Sequence, residues 1–350
     1  MRLVVTGATG NVGTSLLTLL AADPAVSAIV GVARRRPSWE NPKTSWVQAD
    51  VRHDDLDAIF AGADAVVHLA WLIQPSRELE LIREVNVDGS RRVFEAAARA
   101  GVPTLVHASS VGTYSKGPKD SRVSEEWPSE GIPTSFYSRH KAEAERILDR
   151  VERAHPAMRV VRLRPGLIFK REAASGIRRL FVGPLLPSPL VRTQLIAGVP
   201  LHPRLRVQAL HSLDVADAYR RAVMTPDARG AYNVAAEPVL DGHELARLLG
   251  ARPVPVNAGV LRAATTAAYK LRLQPTPAGW LDLALGVPLL DCTRARVELG
   301  WEPRHSASDA LLELLDGLRD SAGFPTPPLD RGTGGPLRVR EFLTGIGRLS

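Results

Sequence analysis

Across the first 165 residues, short apolar runs alternate with longer stretches whose apolar positions recur every three or four residues. The runs Leu3–Thr6, Ala28–Ala33, Ser45–Ala49, Ala65–Ala70, Thr104–Ser109 and Arg159–Arg164 read as buried strands. Helical patterns lie between them near 12–21, 54–60, 78–100 and 135–154. Strands alternating with helices of this length predict βαβ units, hence an α/β fold with a doubly wound parallel sheet. Beyond Pro165 the pattern loosens into Pro- and Gly-rich segments such as 183–189, mixed with short helices, which predicts a smaller lobe closing over the sheet's ligand. Two later strands, Tyr232–Val234 and the one before His211, are expected to return to the sheet domain. The predicted division is 1–165 for the sheet domain with returning elements near 205–235, 166–330 for the substrate-binding lobe, and 331–350 for a tail. That tail follows the Pro- and Gly-rich stretch Phe324–Pro336 and is expected to end in a short helix.

The first strand runs into Thr6-Gly7-Ala8-Thr9-Gly10-Asn11-Val12-Gly13, and a helix begins there. Glycines at this spacing between strand and helix allow a tight turn and a close backbone approach to a pyrophosphate. The helix N-terminus adds free N–H groups and positive dipole. Gly7, Thr9, Gly10, Asn11, Val12 and Gly13 are therefore candidate dinucleotide contacts in a Rossmann-type domain. A carboxylate about twenty residues on would hold the ribose 2′-hydroxyl of NAD. Here the second strand ends in Ala33-Arg34-Arg35-Arg36. Guanidinium groups suit a 2′-phosphate, so Arg34 and Arg35 favour NADP over NAD, unless they are solvated loop arginines. Asp50, followed by Val51, is placed to reach the adenine amino group. Leu69, Ala70 and Trp71 end the fourth strand where backbone must pass close to the cofactor.

The second candidate site is Tyr137 and Lys141, four residues apart in the first two turns of a predicted helix, with Ser110 upstream. At this spacing phenol and ammonium share a helix face, and the positive charge is expected to draw the phenol's pKa down toward neutrality. Tyr137 then serves as an acid or base in hydride-transfer chemistry.

Composition narrows the setting. The chain has 350 residues, 45 basic against 37 acidic, for a formal charge of +8. Arginine dominates the basic set and suits anionic ligands. The basic residues are scattered rather than gathered in a stripe, which argues against nucleic-acid binding. No run approaches 18 apolar residues, so no membrane span is expected. The single Cys292 excludes an intrachain disulfide and a Cys-based zinc site, and Arg2 leads straight into a strand with no leader pattern before it. A reducing, cytoplasmic compartment is the expectation. His107, His140, Asp214 and Asp217 lack metal-like spacing and are expected to be structural, with no metal.

Taken in order, Thr6-Gly-x-x-Gly-x-x-Gly13, Ser109-Ser110-Val-Gly-Thr-Tyr114, Tyr137-x-x-x-Lys141, Arg164-Pro165-Gly166, His211-Ser-Leu-Asp214-Val-Ala-Asp217 and Leu299-Gly300-Trp301-x-Pro303 resemble the extended branch of the short-chain dehydrogenase/reductase superfamily, the NAD-dependent epimerase/dehydratase family. The resemblance implies that Ser110 binds the substrate oxygen, that Tyr137 exchanges a proton with it, and that Lys141 holds the nicotinamide ribose. It implies that Asn86 organises the active-site helix and water, and that Pro165 lines the nicotinamide pocket. It also implies a homodimer through helices 78–100 and 135–154. The substrate lobe departs from the pattern. Val207 stands where sugar-nucleotide epimerases carry a diphosphate-binding Arg four residues before the His, with Arg192, Arg204 and Arg206 as displaced alternatives. Trp71 replaces a small residue beside the nicotinamide. The expected activity is NAD(P)-dependent hydride transfer between nicotinamide and a carbonyl or hydroxyl carbon of a small-molecule substrate. Sugar-nucleotide epimerisation or dehydration, an apolar alcohol as substrate, and a non-catalytic NADP sensor are the alternatives.

Overall fold

The computed structural model describes residues 1–74, 76–179 and 197–332. The segment 183–189, Arg192 and the tail from 333 onward therefore lie outside the described residues. In the N-terminal half the strands are β1 (Arg2–Thr6), β2 (Ala28–Ala33), β3 (Thr44–Gln48), β4 (Ala65–His68), β5 (Thr104–Ala108), β6 (Arg122–Val123) and β7 (Arg159–Pro165). Between them lie α1 (Asn11–Ala22), α2 (Leu56–Phe60), α3 (Leu79–Arg83), α4 (Gly89–Arg99) and α5 (Phe136–Ala154). The second half adds β8 (Leu167–Phe169), β9 (Gly198–Leu201), β10 (Val207–His211), β11 (Gly230–Val234), β12 (Ala236–Leu240), β13 (Arg252–Pro255) and β14 (Leu289–Leu290). Its helices are α6 (Ala174–Ile177), α7 (Ser212–Met224), α8 (Gly242–Leu249), α9 (Ala258–Lys270), α10 (Gly279–Gly286), α11 (Thr293–Leu299) and α12 (Ala307–Arg319).

Seven parallel strands form the main sheet in the order β11-β7-β5-β4-β1-β2-β3. Strand order reverses between β1 and β4, and it is at the carboxyl ends of strands flanking such a reversal that open α/β sheets take ligands. Alternation along each strand splits the core in two. Leu3, Val5, Val67, Val106 and Val161 pack on the face covered by α1 and α7. Val4, Val66, Leu105 and Val160 pack on the other face, with Phe60, Phe94, Ile147 and Leu148 of α2, α4 and α5. Burial on both faces explains why these strands read as continuous apolar runs.

The strand before His211 lies outside the main sheet. β10 pairs with β8 and β12 in a separate three-stranded sheet, and only β11 extends the main one, so the edge of β7 is already taken. The helix expected over 78–100 runs unbroken through α3 and α4, but not as regular α-helix throughout. Residues Glu84–Asp88 form a wider π-type turn between α3 and α4, which carries Asn86 fully into the interior. Such an insertion re-aims a side chain without breaking the helix, and no hydrophobic period signals it.

Candidate active site

The turn after β1 is built for close approach. Gly7 has φ +69°, and a Cβ there would lie 2.5 Å from the Ala70 nitrogen, so the loop touches the chain leaving β4. A Cβ on Gly13 would lie 2.5 Å from the Gly7 and Ala8 carbonyl oxygens. Gly10 precedes α1 without a side-chain cap, and no acidic residue occupies the first turn. The first-turn amides of a twelve-residue helix thus face the crevice with their dipole unopposed, and the buried Asn11 Oδ1 accepts no bond. A cradle of bare backbone with spare donors fits a pyrophosphate, so the residues present suit a dinucleotide. Thr9 and Val12 complete the turn, and Leu69, Ala70 and Trp71 form its opposite wall.

Farther along the crevice, Arg34, Arg35 and Arg36 are exposed after β2. Partial burial lowers the Arg34 guanidinium, and nearby Asp50 counteracts this. Asp50 itself is engaged. Arg52 folds back on it, donating from its backbone N–H (3.0 Å), Nε (3.1 Å) and Nη2 (2.9 Å). The contact proposed between this carboxylate and an adenine amino group therefore competes with an ion pair two residues away, which sequence spacing could not register. Val51 is buried against Gly89, and Pro165 is buried at the end of β7.

The chemical residues converge on the ends of β4 and β5. Ser135 caps α5, presenting Tyr137 and Lys141 in its first two turns. Ser110, just past β5, hydrogen-bonds the Tyr137 phenol and accepts a bond from the Gly112 N–H at 3.0 Å. Gly112, overlooked in the sequence, has a clear reason to be glycine. A Cβ there would stand 2.8 Å from the Tyr137 ring. Ser138 donates to the Gly112 carbonyl (2.5 Å) and accepts from the Ile132 N–H (2.6 Å), locking the start of α5 to the Ser110 loop.

Lys141 is placed differently from expectation. Its ammonium donates to the Ala108 carbonyl (2.6 Å) and lies 3.3 Å over the Trp71 ring but 5.9 Å from the Tyr137 ring centroid. Burial holds the ammonium well below its ordinary value, with Glu145 partly opposing the shift. Burial likewise pushes the Tyr137 phenol up to about 12, with the Ser110 hydrogen bond as the opposing influence. The expected lowering of the phenol is therefore absent, because desolvation outweighs a cation that points elsewhere. Asn86 forms two bonds to the backbone of Leu72, accepting from its N–H and donating to its carbonyl, both at 2.7 Å. It thereby fixes the loop that carries Trp71.

Three features of the site were not legible in sequence. Trp280 of α10 lies against the Tyr137 ring (4.9 Å between centroids), opposite the edge contact with Trp71 (6.1 Å). Beneath the site, Glu145 holds Arg164 in a buried ion pair and accepts a bond from Ser109, the neighbour of Ser110. Arg164 continues to the Tyr114 hydroxyl (3.0 Å), which donates to Asn233 (2.6 Å). Glu145 lies four residues beyond Lys141, so its helical spacing was the available signal. The third feature is the fate of the lobe's cations. Lys119 donates to the Arg206 and Ala284 carbonyls, each at 2.8 Å. Burial pushes it down to about 7, aided by Arg204 and Arg206. Arg204 donates to the Leu285 and Gly117 carbonyls (2.9 Å each), and Arg206 to the Lys119 carbonyl (2.6 Å).

The residues set aside as structural lie on β5, α5 and α7. His107 is buried, stacked on His68 and held well below its ordinary value by burial. His140 is buried too, pushed down to about 4. Asp214 accepts from the His305 N–H at 3.0 Å, and Asp217 is held by Arg220 and Arg221. Among the described residues no group of three His, Cys, Asp or Glu is placed to hold a metal. Nor is any helix among them long and apolar enough to cross a membrane.

Residues 3–235 match the sequence profile of the NAD dependent epimerase/dehydratase family. The chain belongs to that family. It is 28% identical over 327 residues to an uncharacterized protein of Mycobacterium tuberculosis, covering 93% of this chain but 31% of that protein. The chain thus spans about a third of the length of that relative. It is 27% identical over 339 residues to the UDP-glucose 4-epimerase of Mycolicibacterium smegmatis, covering 92% of this chain and all of that protein. The solved UDP-glucose 4-epimerase of Thermus thermophilus in complex with NAD superposes with a TM-score of 0.66 at 21% identity, over 91% of this chain and 99% of the other. At that identity the likeness establishes the fold.

Proposed function

We propose that the chain is an NAD(P)-dependent oxidoreductase acting on a carbonyl/hydroxyl carbon. The observation that carries this reading is the meeting of Ser110, Tyr137 and Lys141 at the ends of β4 and β5, next to the glycine-lined turn after β1. A bound nicotinamide dinucleotide supplies the hydride acceptor or donor. Ser110 orients the substrate oxygen by hydrogen bonding, and the Tyr137 phenol gives a proton to that oxygen or takes one from it. Lys141 serves the cofactor's ribose after leaving Trp71, and its charge then favours the phenolate. Asn86 and the Glu145–Arg164 pair keep these groups in place.

The arginines after β2 favour NADP over NAD. The substrate lacks a nucleoside diphosphate, because Lys119 and Arg204 already end on backbone carbonyls, Arg206 is shared between the Lys119 carbonyl and the Asp241 carboxylate, and Val207 offers no charge. A buried diphosphate would need unengaged cationic partners. Its ring instead meets the aromatic walls of Trp71 and Trp280. A reducing compartment suits the single buried Cys292, and a homodimer through α4 and α5 is checked by sedimentation. The test of function is a screen of alcohols, free sugars and apolar ketones with NADP and NAD, following nicotinamide absorbance in wild type and Tyr137→Phe. Turnover that survives the substitution unchanged rejects the assignment.

The smegmatis relative favours a second reading, epimerisation or dehydration of a nucleotide sugar. Thermal shift with UDP-, GDP- and dTDP-sugars in the presence of NADP separates the two. Stabilisation by several degrees that disappears when Arg204 and Arg206 are replaced together establishes the second reading.

A further inference from the structure

Beyond α12 the chain doubles back along the cofactor crevice. Phe324 N–H donates to the Leu329 carbonyl (3.0 Å) and Leu329 N–H to the Thr326 carbonyl (2.9 Å), which closes a short loop. Thr326 and Leu329 are buried, at 1% and 4% exposure, so the loop is packed onto the body of the protein. Its attachments are specific. Thr326 Oγ1 donates to the carbonyl of Thr9, inside the glycine-rich turn, at 2.9 Å across 317 residues of sequence. The Phe324 ring meets Trp39 edge-on at 5.0 Å, and Trp39 lies within the loop that carries Arg34 and Arg35. On the far side Ser175 of α6 donates to the Leu329 carbonyl at 2.9 Å.

Beneath Phe324 lies Lys170, whose ammonium is 5.7 Å from the ring and donates to Thr14 Oγ1 (2.6 Å) and Ser15 Oγ (3.2 Å) in the first turns of α1. It is 5% exposed, and no carboxylate among the described residues pairs with it. Glu172 and Glu313 act on this buried cation only from beyond ion-pair distance, so it adds positive potential beside the first turns of α1.

We propose that Phe324–Leu329 is a strap forming an outer wall of the cofactor's adenosine-diphosphate subsite, with Thr326 as the positioning residue that holds the glycine-rich turn in its binding shape. The inference rests on the dinucleotide reading of that turn. A glycine-rich turn has few internal restraints; here one backbone bond, Gly10 N–H to the Gly7 carbonyl at 3.0 Å, closes it. A bond from outside that fixes the Thr9 carbonyl orders the turn before ligand arrives, which favours binding through preorganisation. The Phe324–Trp39 contact ties the loop after β2 to the same strap. Both phosphate-facing loops therefore depend on a segment near the other end of the chain.

The test uses the full chain. Dissociation constants for NADPH, NADH and ADP are measured by calorimetry for wild type, Thr326→Val, Thr326→Ser and Phe324→Ala, alongside melting temperature with and without saturating dinucleotide. Loss of one hydrogen bond predicts roughly fivefold weaker binding of all three ligands by Thr326→Val, with Thr326→Ser restoring it. The melting-temperature gain from ligand should shrink in Thr326→Val, which a purely structural role would leave unchanged. If Thr326→Val does not fold, Phe324→Ala carries the test with the same expectation. Wild-type affinity for all three ligands in the folded variants overturns the strap alone. A wild-type protein that binds neither dinucleotide overturns the reading of the turn and the strap with it.

Discussion

The turn after β1 and the loops of the substrate lobe both look suited to anions in the sequence, one through glycines and the other through Arg204 and Arg206. The structure separates them. At the end of β1 the first turn of α1 has no side-chain cap and no acidic residue. In the lobe Lys119 and Arg204 terminate on main-chain carbonyls, and Arg206 is shared between the Lys119 carbonyl and the Asp241 carboxylate, so that together they stitch 117–119, 204–206 and the end of α10. An anion site needs donors left unspent by the fold, and formal charge does not report that. Carbonyl-bound guanidinium groups satisfy backbone acceptors that burial would otherwise strand.

The sharpest way to break this contrast is at the chemical centre between the two regions. Tyr137→Phe should lower kcat by roughly 10²–10⁴-fold while leaving dinucleotide affinity nearly unchanged, since the phenol acts on substrate. Steady-state rates on a substrate from the screen, with a separate cofactor titration, check it. Lys141→Ala should damage both quantities.

Next in size is the support beneath the site. Glu145 and Arg164 are 5% and 6% exposed at their side chains, and removing one partner leaves a buried charge. Glu145→Gln should therefore destabilise the protein by about 3–5 kcal/mol in chemical denaturation near neutral pH. Burial opposes the Glu145 carboxylate, but the bonds from Arg164 outweigh it, so the group titrates below the ordinary 4.5. Its contribution is present above that value and disappears as pH falls through the lowered folded-state value. The stability gap between wild type and Glu145→Gln should accordingly narrow on acidification. A gap that widened instead would locate the effect elsewhere.

On the cofactor side, Arg34→Ala should weaken NADPH by about 1.5–3 kcal/mol and spare NADH, the value of a charge-assisted contact. Equal wild-type affinity for the two dinucleotides would remove the phosphate clamp. The smallest effect is expected in the lobe. Arg204→Ala should cost about 0.5–1.5 kcal/mol of stability through its lost carbonyl bonds, with KM for substrate unchanged. A large rise in KM would mean that the lobe's cations do bind ligand, and the contrast would fail.

Much of the fold and part of the site could be read in advance, for different physical reasons. The six strands and four helical patterns of the first 165 residues lie within one or two residues of their predicted ends, apart from the π-type turn, because two-faced burial writes itself into local composition. The pairing of Ser110 with Tyr137 followed from a helix start and a strand end. The destinations of Lys141 and Asp50 did not, because each depends on a competing partner whose distance in space no spacing rule reveals: Trp71 with the Ala108 carbonyl for one, Arg52 for the other.

By itself the sequence determined the parallel sheet, the glycine turn at the head of α1, and a phenol and an amine on one face of α5. These follow from backbone sterics and helical period, which are local. Tertiary structure alone decided that β10 leaves the main sheet, that burial raises the phenol and lowers the amine, that Asn86 turns inward to clamp Leu72, and that Thr326 reaches Thr9. Those outcomes depend on desolvation and on contacts between residues far apart in the chain, and only the packed molecule contains them.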